Sequence, residues 1–253
     1  MLGSAVYKYL SDKYNVMELN EKITENNVFQ VINQINNLNP KYVINCIGAI
    51  KQKTYEDKNM YFVNALLPAI LRHGINDSSI FVQPSTDCVF SGKKEAKYEK
   101  NHKKDATDLY GRSKAVAENI LIDQKNLILI RTSIIGASKN YKDKGLLSWF
   151  RNVESKSIDG YTNHFWNGIT TLEWSKQVHS LMVSEIDHGF FQIGTEGVSS
   201  KYELLKIFKA CYSKKIKINK YECNQTINRT LESDLSVSNI DIQLDEFVKF
   251  MEK

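Results

Sequence analysis

Short apolar runs alternate with amphipathic stretches along the first half of the chain. VMEL at Val16–Leu19, YVINCI at Tyr42–Ile47, SIFV at Ser79–Val82 and LILI at Leu127–Ile130 read as buried strands of a parallel sheet, because continuous short apolar runs bury both faces. Between them, apolar residues at helical spacing predict helices over Val28–Ile35, Asp57–Arg72 and Tyr110–Ile122. Strands alternating with helices imply right-handed crossovers and a doubly wound α/β sheet.

After Gly136 the pattern loosens. A lysine-bearing loop leads to a helix over Leu146–Val153, a Gly-Tyr-Thr-Asn turn at Gly160 and a helix over Leu172–Ser184. A strand at Phe190–Ile193, a helix over Lys201–Tyr212, a strand at Ile216–Ile218 and a helix over Leu244–Met251 complete a small mixed α/β lobe. This divides the chain into a sheet domain at 1–137 and a substrate lobe at 138–253, with 165–195 returning to the sheet. No internal repeat is present.

Composition narrows the class. At 253 residues, 42% hydrophobic and 25% charged, the chain has an ordinary globular balance and can build a core without disulfide or metal staples. The net charge of +5 gives a weak preference for anionic ligands and no case for nucleic acid, its excess lysines being read as spread along the chain. The lysine-rich loop Ser91–Lys104 reads as a solvated surface. Cys46, Cys88, Cys211 and Cys223 form no Cys-x-x-Cys pair, and the five histidines show no ligand spacing, so neither disulfide nor metal is expected. No apolar run approaches the roughly 18 residues that span a bilayer, which predicts no membrane partner and a cytoplasmic location.

The chemistry concentrates in two strings. In YGRSK, Tyr110 and Lys114 stand one turn apart on one face of a helix, with Asp108 as its N-cap. A carbonyl reductase needs a proton donor at the oxygen, and a phenol serves if a nearby cation stabilises its anion. Tyr9–Lys13 and Tyr202–Lys206 share the spacing but not the buried stripe of Val116, Ala117, Ile120 and Leu121. In IFVQPSTDCVFSG the strand runs out at Pro84 and leaves Ser85, Thr86 and Asp87 at a carboxyl end, where doubly wound sheets place their sites.

Thr86, Tyr110 and Lys114 resemble the catalytic triad of the extended short-chain dehydrogenases. VINCIGAI, FVNALLP, PSTDCVFSG, DLYGRSKAVAE and LIRTSIIG resemble the dTDP-4-dehydrorhamnose reductase branch over most of the chain. The resemblance implies a Rossmann-like fold and reduction, by NADPH or NADH, of a keto sugar on a nucleotide diphosphate. It also allows a homodimer. Cofactor positions would be Gly3, Cys46, Ile47, Gly48, Ala49, Asn64, Tyr110, Lys114 and Ile134. Cys46 and Ile134 equally suit an apolar core, and Asn64 a helix residue bonded to backbone. Substrate positions would be Thr86, Asp87, Cys88, Lys144, Trp149, Asn163, Thr170 and Arg229, the last in NRTLESDLS, with Trp149 on LLSWF equally readable as core.

The chain departs from this pattern at its start. MLGS matches only the tail of the family's glycine turn, with Gly3 as the last glycine and Ser4–Ser11 as the first helix, so a central strand and two glycines are expected upstream. A start assigned downstream or a fragment is preferred over a relative that has lost dinucleotide binding. Leu19 and Asn20, in place of a strand-end acid, tilt the cofactor choice to NADPH. Cys88 stands where dehydratases carry Glu, which argues against dehydration. An epimerase of the same family, a regulatory relative and a sugar-nucleotide-binding protein are the alternatives.

Overall fold

The computed structural model describes residues 1–50, 57–138 and 144–252. The lysine-bearing loop expected after Gly136 lies partly outside them. The first half runs α1 (Leu2–Leu10), α2 (Val28–Leu38), β1 (Tyr42–Ile44), α3 (Asp57–Tyr61), a π-helical turn (Phe62–Leu66), α4 (Leu67–Gly74), β2 (Ile80–Ser85), a 3-10 turn (Asp87–Val89), α5 (Leu109–Leu121) and β3 (Leu127–Arg131). The second half runs β4 (Ile134–Ile135), α6 (Leu146–Asn152), β5 (Ser157–Tyr161), β6 (His164–Trp166), β7 (Ile169–Thr170), α7 (Thr171–Val183), β8 (Gly189–Gln192), β9 (Ser199–Ser200), α8 (Lys201–Cys211), β10 (Lys217–Tyr221), β11 (Ile227–Asn228) and α9 (Ile240–Glu252).

The main sheet has the order β1-β2-β3-β8, all parallel. Alternate residues of its strands point to opposite faces. Phe81, Leu127 and Leu129 pack with Val31, Leu71 and Leu121 from α2, α4 and α5. Val82, Ile128 and Ile130 pack on the other face with Val6 of α1 and Trp174 and Val178 of α7. Helices therefore cover both faces, as a doubly wound sheet requires.

The strand read at Val16–Leu19 is not there. A strand needs a ladder partner for its backbone; among the described residues nothing pairs outside β1, and Met17 and Leu19 stand exposed. The argument for cofactor choice from Leu19 and Asn20 therefore loses its strand end.

Beyond the sheet, β10 pairs parallel with β5, and β6 lies between β11 and β9. Phe150 of α6, Phe208 of α8, and Leu244 and Phe247 of α9 fill the core beneath them. The short pair β4–β7 leads from the end of β3 to the start of α7.

Candidate active site

The six residues of β2 are all buried, and the strand ends at Ser85. Thr86 follows in an extended conformation and caps the 3-10 turn: its hydroxyl accepts from the Cys88 amide at 3.2 Å and donates to the Asp87 carboxylate at 3.1 Å. Facing it is the start of α5, where Asp108 accepts from the Gly111 amide at 2.9 Å and satisfies one free helix donor. Gly111 sets how closely helix and strand end approach. A Cβ there would stand 2.0 Å from the Cys88 carbonyl oxygen, so a side chain would drive them apart.

The close approach brings the Tyr110 phenol next to Thr86. Burial pushes the phenol well above its ordinary range, the charges of Cys88, Asp87 and Asp108 push the same way, and the Thr86 side chain pulls against them. Tyr110 is therefore protonated at neutral pH and can give a proton. One turn on, Lys114 is 5% exposed. Its ammonium has a single long bond to the Pro84 carbonyl at 3.5 Å, and burial pulls it down to about 8, against the opposing charge of Glu118. An ammonium has three donors, so two have no protein acceptor among the described residues.

Gly48 and Asn64 border this lysine: a Cβ on Gly48 would lie 3.9 Å from Lys114 Nζ and 3.8 Å from Asn64 Oδ1. Asn64 is fully buried on the π-helical turn. Its amide accepts from Ala49 N at 2.9 Å and donates to Ala49 O at 3.1 Å and to Ser113 Oγ at 3.1 Å, which ties the segment after β1 to α5. π turns recur where a helix must re-aim one side chain. Ser113 Oγ in turn donates to the Tyr110 carbonyl at 2.8 Å. On the neighbouring strands, Asn45 donates to Gln83 at 2.8 Å and Gln83 to the Pro84 carbonyl at 2.9 Å. The hydroxyl of Ser85 is buried without a partner.

Arg229 reaches the same place from the far end of the chain. It donates to the Phe90 carbonyl at 3.0 Å and lies 3.7 Å from Cys88 Sγ and 4.0 Å from the Asp108 carboxylate. Its segment is held by Asn167, which accepts from the Leu231 amide at 2.8 Å and donates to the Leu231 carbonyl at 2.8 Å.

The profile of the RmlD substrate binding domain family matches residues 1–249. The chain belongs to that family. Its sequence is 27% identical over 234 residues to the dTDP-4-dehydrorhamnose reductase of Aggregatibacter actinomycetemcomitans, covering 85% of this chain and 77% of the relative. The fold matches that of Bacillus anthracis dTDP-4-dehydrorhamnose reductase in complex with NADP, with a TM-score of 0.86 at 18% identity over 100% of this chain and 95% of that one. It also matches the Thermotoga maritima UDP-glucose 4-epimerase with UDP-glucose, with a TM-score of 0.73 at 15% identity over 100% and 96%.

Within this RmlD-family chain, Thr86, Asp87, Cys88, Tyr110, Lys114, Gly48, Ala49, Asn64 and Arg229 converge. Gly3 lies on α1 against the end of β1, where its Cβ would stand 3.3 Å from Cys46 Cβ, and burial pushes the Cys46 thiol up to about 12. The Ile47 amide donates to the Asn45 side-chain oxygen at 3.0 Å. Ile134 packs partly buried against the α1–α7 core. The lobe residues have other attachments. Thr170 caps α7 by accepting from Glu173 N at 3.1 Å, and Asn163 clamps Cys223 through its amide and carbonyl at 3.0 and 2.7 Å. Trp149 is 44% exposed on α6, and Lys144 opens the segment that leads into it. Ser113, Gln83 and Asn45 went unnoticed in the sequence, although a polar residue inside an apolar run, as in YVINCI and IFVQPS, is the available signal.

Proposed function

We propose that this chain is an NAD(P)H-dependent reductase of a 4-keto-6-deoxy sugar carried on a nucleotide diphosphate. The observation that carries the reading is the close approach of Tyr110, at the start of α5, to Thr86 at the end of β2, one turn from a buried, under-bonded lysine. The residues suit a dinucleotide. Lys114 has spare donors for ribose hydroxyls, Gly48 leaves the space beside it open, and Ser85 offers an unused buried hydroxyl.

When bound, the nicotinamide supplies a hydride to the keto carbon. Tyr110 gives its proton to the carbonyl oxygen, and Lys114 stabilises the phenolate left behind. Thr86 orients the carbonyl through its hydroxyl. Arg229, planar and permanently charged, grips the diphosphate. Residues 1–137 mainly hold the cofactor, and 138–253 mainly the sugar nucleotide, with 165–195 on the sheet side. Asn163 and Thr170 shape that lobe through the contacts they already make.

The test is turnover of a dTDP-linked 4-keto-6-deoxy sugar with NADPH deuterated at the transferable position. Deuterium found on the sugar carbon, with one NADPH oxidised per sugar, supports reduction. An inverted sugar without net cofactor oxidation would identify an epimerase instead.

A further inference from the structure

The excess positive charge is not spread along the chain, as its sequence first suggests. Between Lys201 and Tyr221 there are seven lysines and a single carboxylate, Glu203. That is six positive charges where the whole chain nets +5, so the other residues together are close to neutral.

In the fold this segment is α8 and β10, which pack together. A groove of about 890 Å³ runs between them, lined by Lys206, Lys209, Lys215 and Lys217 and by the apolar Ile216 and Ile218. Among the described residues, no carboxylate lies within ion-pair distance of Lys206, Lys209, Lys215, Lys217 or Lys220. Glu203 is engaged by Ser200, whose amide and hydroxyl donate to it at 2.7 and 2.8 Å. Lys214 is held differently, its ammonium donating to the carbonyls of Phe150, Arg151 and Val153 at 2.6–2.8 Å.

The strand that walls the groove is paired on one side only, with β5. An unpaired strand edge is a template for another strand, and edge lysines guard it against self-association. Protection alone does not call for Lys206 and Lys209, which stand on the helix and line the same groove. Lysines also choose among partners: a second copy brings like charge and is repelled, while an acidic strand is attracted. The concave shape suits a narrow extended segment better than a lipid surface.

We propose that the groove and the free edge of β10 dock an extended acidic segment of a partner protein, which adds to the β5–β10 sheet as a third strand. Backbone hydrogen bonds would supply the pairing, carboxylates would meet the lysines, and an apolar side chain would sit on the partly exposed Ile218.

The test is fluorescence anisotropy of a labelled peptide of about ten alternating Glu and Val residues titrated with the full-length protein. Saturable binding is expected, weakened by salt near 0.5 M. Lys215→Glu/Lys217→Glu should lower affinity by about tenfold or more, since each reversal replaces an attraction with a repulsion, and should leave the protein's melting temperature and reductase turnover in place. Methylating alternate peptide amides should cost at least as much, because strand addition needs those donors. Absence of binding, indifference to the charge reversal, or equal affinity of the methylated peptide would overturn the proposal. So would tighter binding, sensitive to the same reversal, of oligo-dT or phosphatidylserine vesicles.

Discussion

Helix α5 carries two buried charges one turn apart, and they live differently. Glu118 is fully buried, and its carboxylate takes both arms of Arg131 at 2.8 and 2.5 Å and Lys104 at 3.3 Å. Arg131 in turn donates to the Lys100 carbonyl and Gln192 at 2.8 Å and lies between the rings of Phe90 and Phe190. Lys114 has one bond of 3.5 Å. A buried charge whose bonding capacity is filled fastens α5 to β3. One with two donors unmet among the described residues costs stability, and in the proposed site those donors are free for a ligand.

The largest break in that contrast should come from Glu118→Leu, which strands Arg131 in the interior. Loss of one partner of a buried pair costs about 3–5 kcal/mol, and urea denaturation should show it as a lower midpoint at unchanged slope. Next, Thr86→Val keeps the shape at the strand end and removes the hydroxyl. Turnover should fall on the order of 10²-fold, in line with loss of one oriented donor at a reacting oxygen, while the lost cap on the Cys88 amide costs only about 1 kcal/mol in the denaturation midpoint.

Lys114→Met should do the reverse of Glu118→Leu. A lysine drawn from about 10.5 to about 8 binds fewer protons in the folded than in the unfolded state between those values, which raises stability with pH. The Cys46 thiol, raised from 9.0 to about 12, keeps a folded-state proton and opposes it above pH 9, so parent stability rises between about pH 8 and 9. Below that window the buried ammonium is a standing cost, and replacing it should stabilise the protein at pH 7 by about 3 kcal/mol, abolish turnover and remove that rise, all readable from urea midpoints measured at several pH values. Asp108→Ala should have the smallest effect, about 1 kcal/mol for a lost N-cap, measured in the same way.

The same helix shows what was legible beforehand. Tyr110, Lys114, the Asp108 cap and the carboxyl end of β2 could be read because a fully buried strand is an apolar run and helical spacing puts i and i+4 on one face. The meeting of Tyr110 with Thr86 rests on Gly111, whose role depends on a carbonyl from another segment and leaves no local trace. The π turn at Asn64 is equally silent, since its residues look helical. β5 escaped notice because its two buried positions are Ile158 and Gly160, and a glycine gives no apolar signal, and β4 and β7 are two-residue ladders set by tertiary contact. Val16–Leu19 failed the other way: three apolar residues around Glu18 make a strand only beside a partner.

The most direct test is Tyr110→Phe, assayed side by side for sugar-nucleotide binding by calorimetry and for NADPH oxidation at saturating substrate. Removing the proton donor while keeping the ring should leave the dissociation constant near that of the parent and lower turnover by about 10²–10⁴-fold. Turnover within a few-fold of the parent, with binding intact, would contradict the assignment of Tyr110 as the acid and with it the account of the site.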